Sequence, residues 1–343
     1  MSRPRLGLGG VFNAAISWIR DPPSNLDGLP PLASWDRRLA TILPLVFAIS
    51  TGIQITRYIT IPEWIGFDAS LYAAAAGAWL SGADPWSVSS NGIPFGAPPP
   101  TLLPFVPFAW MPGSLVALLW IVGSFAAAML AIRALGLRWW WIAFWPIVDG
   151  CLVGNPNIAV LALLVISKQR FASLSPILKI YAAIPLMAER RWKSIAISGV
   201  ILLVTFAFLP WSTWFASLPA ISSSLDRFAD TTSVAGNVPL MAIGLLALAS
   251  LGLRRAGWLF VPVLWPWTQT HYLAISVPVL TPTIAILWSV PGLPPSAVLG
   301  SVILAAVGFR FFPSADPASE SEATHGMQRL RMSFLDRHTK QTS

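Results

Sequence analysis

The sequence predicts an all-α, polytopic membrane protein of about eight to ten transmembrane helices, at roughly 20 residues per crossing. Three observations carry this. Of 343 residues, 55% are hydrophobic and only 10% charged, and mean hydropathy is +0.67, outside the range of soluble domains. Apolar stretches of helical length recur along the chain. The Lys and Arg residues lie in short loops and at the two ends, where the positive-inside rule puts cytoplasmic segments. The net charge of +8 is therefore a topology signal and not a nucleic-acid footprint. A single cysteine, Cys151, excludes an intramolecular disulfide and a multi-cysteine metal site.

Residues 1–38 are polar, rich in Pro and Gly, and carry Arg3, Arg5, Arg20, Arg37 and Arg38, which marks a cytoplasmic tail. The transmembrane domain follows over 39–312. Its first span, about 39–56, lies too far from the N-terminus for a cleaved signal peptide and reads as a retained anchor running outward. Between Arg57 and Arg133 there is no Lys or Arg, while Glu63, Asp68 and Asp84 all fall there, so 62–112 is assigned to the non-cytoplasmic side. "FDASLYAAAAGAWLSGADPW" opens that segment with a helical pattern. Asp68, Tyr72 and Trp79 share a face at i, i+4 and i+11, and the alanines allow close packing. This is an outer-face juxtamembrane helix. The following "NGIPFGAPPPTLLPFVPFAWMPG" has too many prolines for an α-helix and reads as an extended loop against the membrane.

Further spans are expected at 113–135, 137–150, 155–167, 194–214, 237–252, 256–269, 271–289 and 296–312, with Arg133/Arg138, Lys168/Arg170, Arg190/Arg191/Lys193 and Arg254/Arg255 marking cytoplasmic turns. The segment from Lys168 to Arg190 is too short for two crossings and has both ends cytoplasmic. A broken or re-entrant hairpin is expected, interrupted at Pro176 and Pro185. The polar stretch 215–236 is an outer loop. This count leaves the basic tail, 313–343, on the outer face against the rule, so one span after residue 237 is miscounted. The tail itself is polar enough to be disordered.

Ionisable groups in membrane-level sequence are costly and thereby functional candidates. Outside the tails they are Asp68, Asp84 and Asp149, with Lys179 and His271 as the bases within apolar sequence. Each also has a structural reading. Asp68 could be a helix N-cap; Asp84 in "GADPW" suits a turn; His271 could be a satisfied packing residue; Lys179 could snorkel to the interface. Functionally, His271 could share a proton with a carboxylate, and a cation in an apolar hairpin calls for an anion such as phosphate. "DGCLVGNPN" reads as a polar turn carrying Asn155 and Asn157, with substrate contact as the second option. Most Trp residues are interfacial, though Trp86 or Trp267 could stack on a sugar. The sequence has no Walker motif, dinucleotide fingerprint, His/Cys metal spacing or Gly-x-Ser-x-Gly elbow.

The order of these pieces resembles the GT-C superfamily of membrane glycosyltransferases. The likeness is to glycosyltransferase family 87, mannosyltransferases and their relatives that use polyprenyl-phosphate sugars. It rests on "FDASLYAAAAGAWLSGADPW", "FGAPPPTLLPFVPFAWMP", "GNPN", "LKIYAAIP", "ERRWK" and "QTHYLAISVPVL", in that order over roughly residues 40–290. The chain departs from the family in lacking the glutamine at "GNPN" and the tyrosine before the prolines, and in having Trp86 where a tyrosine is common. The resemblance implies Asp68 as general base, with His271 paired to it as a second catalytic residue. It implies Lys179 near the donor phosphate, with Tyr72, Asp84, Trp86, Asn155 and Asn157 as further substrate contacts. The implied reaction is transfer of a mannose-like or arabinose-like sugar from a polyprenyl-phosphate sugar donor to a lipid or glycan acceptor. It would occur on the non-cytoplasmic face of a membrane such as the bacterial cytoplasmic membrane, with inversion and with neither metal nor other cofactor. The competing class is a transporter or flippase, which broken helices and buried charges would also suit. Clustering of the acids at one face and the lack of a second related half favour the enzyme.

Overall fold

A computed structural model describes residues 35–166, 171–226 and 231–312. The tail 1–34, the C-terminal tail from 313, Lys168, Arg170, Arg227 and Asp230 lie outside the described residues.

The described chain is built of helices, with one two-residue antiparallel ladder, Ser89–Ser90 against Ile93–Pro94. Helix α1 spans Asp36–Thr60, α2 Phe67–Leu80 and α3 Gly113–Ala134. Next come α4 (Trp145–Val153), α5 (Asn157–Ile166), α6 (Ser175–Leu178), α7 (Ala183–Ala188) and α8 (Trp192–Thr205). Helices α9 (Trp211–Leu225), α10 (Val238–Ser250), α11 (Leu253–Leu264), α12 (Pro282–Trp288) and α13 (Pro295–Phe311) complete the order.

Two of these helices, α1 over Arg38–Thr60 and α3, are long and apolar enough to cross a membrane by themselves. The pair α4 and α5 adds a third span if counted as one element, bent by 119° at its break. Helices α8, α10 and α13 are apolar but shorter. Leu45, Ile49, Ile53 and Ile59 on α1, Leu118 and Val122 on α3, and Leu203 and Val204 on α8 are exposed. Large apolar side chains exposed along helices of this length suit contact with lipid.

Several expectations are corrected. The prolines of 99–108 do not leave the chain extended: Pro99–Phe108 is a 3-10 helix. The physical reason is a period of three. Pro99, Leu102, Phe105 and Phe108 fall on one stripe of a three-residue turn, and Leu102 and Phe105 are fully buried. Residues 271–289 are not one span but a 3-10 helix, Thr270–Val279, followed by α12. Pro278 and Pro282 lack the N–H that a continuous α-helix would need there. The stretch 215–236 is helical as far as Leu225, because α9 continues through it and buries Ile221. The segment between Lys168 and Arg190 is broken into α6 and α7, but the break falls at Lys179, in extended conformation (φ −147°, ψ 113°), and not at the expected prolines: Pro176 lies in the first turn of α6 and Pro185 within α7.

Among the described residues, two apolar clusters fill the interior and meet at α4. Ile147 and Cys151 belong to the larger, built with Phe47, Ile132, Leu161, Ile275 and Trp288. Trp145, Val148 and Val153 belong to the smaller, with Tyr72, Phe95, Leu102 and Phe105. A helix buried on both sides has few positions free for a polar group, and Asp149 occupies one of them.

Candidate functional site

A cavity of about 760 Å³ opens where α1, α2, α4, the Lys179 break, α9 and the 265–272 segment meet. This is the size of a small-molecule site. Its walls divide by chemistry: Phe95, Trp214, Leu218, Ile221 and Leu225 are apolar, whereas Asp68, Tyr72, Asp149, Asn155, Lys179 and His271 are polar.

Asp68 is set by two glycines. Gly66 starts α2 in the left-handed region (φ 68°), and its N–H bonds the Leu152 carbonyl at 2.7 Å. A Cβ there would meet Ala117 Cβ at 2.1 Å, so only glycine allows α2 to approach α3 this closely. Gly154 (φ 77°) ends α4, and a Cβ on it would lie 2.9 Å from Ala69 Cβ. With α2 and the α4–α5 break pressed together, Asn155 Nδ2 donates to Asp68 Oδ2 at 2.5 Å. Asn155 Oδ1 in turn accepts from the Asn157 amide at 3.0 Å, which fixes the side-chain orientation. The cap reading of Asp68 is thereby corrected. The N-cap residue is Gly66, with no side-chain cap bond, and the Asp68 carboxylate lies in the first turn, half-buried and turned to Asn155.

One turn along the same face, the Tyr72 hydroxyl accepts from Lys179 Nζ at 2.6 Å. Lys179 is buried, at 7% exposure. Its ammonium also lies 5.7 Å from the ring centroid of Tyr272, within cation–π range. Among the described residues it makes no ion pair with a carboxylate. Tyr72 and Lys179 both lie outside the candidate spans. Burial pulls the Lys179 ammonium down to about 8, opposed by the nearby Asp68 charge. Burial, with Tyr272 and Asp68 adding to it, holds the Tyr72 phenol well above its ordinary value. The snorkelling alternative for Lys179 does not describe this buried, aromatic-flanked amine.

His271 is buried at 2% exposure, but its partner is not Asp68. Its Nδ1 faces Asp149 Oδ2 at 3.2 Å, and Tyr58 donates its hydroxyl to Asp149 Oδ1 at 2.6 Å. This corrects the expected Asp68–His271 pairing: Asp149 sits across from the first turn of the 270–279 helix, while Asn155 already occupies Asp68.

Three expected substrate contacts lie off the cavity. Asp84 is exposed and accepts from the Trp86 amide at 2.9 Å, which is turn chemistry. Trp86 is buried and donates its indole N–H to the Ala97 carbonyl at 3.0 Å, behind the wall that Phe95 faces. Asn157 is fully buried at the start of α5, and its Oδ1 accepts from the Tyr181 hydroxyl. Tyr181 lines the cavity in its place, and Trp267 lines it as well. Sequence reasoning missed Tyr58, Tyr181 and Tyr272, and it named Asp149 as a candidate acid without a partner or a role. For the tyrosines a signal existed, since the chain has only 4, and all of them line this cavity.

Comparison with family models, with curated proteins and with solved structures finds no match.

Proposed function

We propose that the chain is an integral membrane glycosyltransferase of the GT-C type, with about eight to ten crossings when its short and broken helices are counted. It transfers a sugar from a polyprenyl-phosphate donor to a lipid or glycan acceptor on the non-cytoplasmic face. One observation carries the reading. A half-buried carboxylate and a buried ammonium line the same cavity, each held by its own neutral partner, Asn155 for Asp68 and Tyr72 for Lys179.

The chemistry asks for this pair. Asp68 has one oxygen on Asn155 and the other free to take the acceptor's hydroxyl proton. The acceptor oxygen then attacks the anomeric carbon from the side opposite the phosphate and forms the new glycosidic bond with inversion. The bond from the anomeric carbon to the phosphate oxygen breaks, its electron pair goes to that oxygen, and the Lys179 ammonium with the Tyr72 hydroxyl offsets the charge left there. The apolar wall of Phe95, Trp214, Leu218, Ile221 and Leu225 suits a polyprenyl tail.

The test is transfer by the purified protein in lipid nanodiscs from a panel of radiolabelled polyprenyl-phosphate sugars, with lipid extract as acceptor. A labelled product of inverted anomeric configuration is expected. No product from any donor, with control enzymes active in the same panel, would overturn the reading. A second reading, a transporter or flippase, draws on the 119° break between α4 and α5 beside Asn155, a geometry that substrate paths use. Under it the same panel gives no product, and a labelled lipid crosses the bilayer of reconstituted vesicles.

A further inference from the structure

The proposed reaction uses Asp68, Asn155, Tyr72 and Lys179. It leaves unused a second polar cluster in the same cavity: Asp149 with Tyr58 and His271. We propose that Asp149 is the centre of a second subsite, which binds hydroxyl groups of a neutral, polyhydroxylated headgroup. Calling that headgroup the acceptor rests on the glycosyltransferase reading; the binding property does not.

Its chemistry follows from what Asp149 already accepts. A carboxylate is acceptor-only and has about four lone-pair directions. Tyr58 takes one, on Oδ1, and the Nδ1 proton of His271 takes one on Oδ2. Each oxygen keeps one direction free, and the side chain is 14% exposed, at the cavity wall. Two adjacent acceptor positions, held rigidly from both sides, match two neighbouring hydroxyl donors. Tyr58 and His271 are themselves buried, so the carboxylate cannot swing away to solve its bonding elsewhere. The His271 Nε2 is buried with no partner among the described residues. That side of the ring is therefore not held by a competing hydrogen bond among the described residues, and Asp149 on Nδ1, with the Tyr272 ring 5.0 Å away, orients the imidazole.

The same wall supplies the remaining polar groups such a headgroup needs. Gln54, one turn before Tyr58 on α1, is buried and lines the cavity, and the adjacent Arg57 lines it too. The ammonium is elsewhere: Lys179 is held at Tyr72 and Tyr272. The buried Lys179 ammonium and the Asp149 carboxylate thus offer different partners to an anionic lipid and to a hydroxyl-rich headgroup within one cavity of about 760 Å³.

Binding separates the two subsites without any need for turnover. The wild-type protein in nanodiscs is titrated, with intrinsic tryptophan fluorescence as readout, with farnesyl phosphate and separately with methyl α-mannoside, methyl arabinoside and glycerol. Asp149→Asn is expected to weaken the binding of at least one hydroxylated probe about tenfold, equivalent to about 1.4 kcal/mol, while farnesyl phosphate binding stays within about twofold. Lys179→Met is expected to do the reverse. Tyr58→Phe, which keeps the ring and removes one bond to Asp149, should weaken the same hydroxylated probe by a smaller factor, which guards against a folding defect in Asp149→Asn. The proposal is overturned if no hydroxylated probe binds the wild type saturably. It is equally overturned if Asp149→Asn lowers the melting temperature and leaves every affinity unchanged, as a mere brace between helices would. Dissociated binding in a protein that transfers no sugar would sink the glycosyltransferase reading and leave the subsite standing.

Discussion

Lys179→Met should make the protein more stable and less functional at once. The ammonium is buried and drawn down from 10.5 to about 8. At about 1.4 kcal/mol per pKa unit, keeping it charged in the folded state costs about 3 kcal/mol at pH 7. Methionine has similar length, fills the same space and needs no solvation. It leaves the Tyr72 hydroxyl without its partner, which costs about 1 kcal/mol, so the net gain is about 2 kcal/mol. The pH dependence supplies a sharper signature. Below pH 8 the lysine is protonated in both folded and unfolded chains and the whole penalty is present. Between pH 8 and 10.5 the unfolded chain binds more protons than the folded one, and wild-type stability rises with pH. Melting temperatures in detergent, measured for both proteins from pH 7 to 10.5, should show the variant ahead at pH 7 and the gap closing toward pH 10.5. A variant less stable than wild type at pH 7, or a gap independent of pH, would refute the buried, depressed amine. Farnesyl phosphate binding by the wild type should fall as pH rises through about 8, because the ammonium that meets the phosphate is lost there.

Two further outcomes follow from the geometry around Asp68. Asn155→Ala removes the 2.5 Å bond to the carboxylate; a hydrogen bond to a charged group contributes about 1.5–3 kcal/mol, so transfer should drop about 10- to 100-fold in a kinetic assay while farnesyl phosphate affinity holds. Gly66→Ala drives a methyl to within 2.1 Å of Ala117 and strains a backbone at φ 68°; a loss of about 2–4 kcal/mol is expected, read as a lower melting temperature or failure to accumulate in the membrane.

Sequence alone located the elements whose signal is local. The expected span 113–135 is α3, Gly113–Ala134, because an apolar run of full helical length ended by Arg133 admits one reading. The helix opening at Phe67 was legible from its alanines and from Asp68 and Tyr72 at i and i+4, and the structure sets both side chains on the cavity wall. Lys179 stood out as a cation in apolar surroundings, which is where it lies. What failed was of two kinds. An apolar run with a period of three, or one cut by prolines as at 271–289, has the composition of a span without its hydrogen bonds, and composition cannot tell them apart. Partner choice was the other. Asn155 is 87 residues from Asp68 and His271 is 122 from Asp149, so which carboxylate takes which partner depends on how α2 and the α4–α5 break pack, and only two glycines in the sequence hint at that.

The most direct test of the account is sugar transfer by wild type and Asp68→Asn side by side in nanodiscs, with the polyprenyl-phosphate panel and equal farnesyl phosphate binding as the check on folding. The account predicts transfer by the wild type and its loss, by a factor of at least about 100, in the variant, since asparagine keeps the shape and removes the base. Equal transfer by both proteins would contradict it and remove Asp68 from the chemistry.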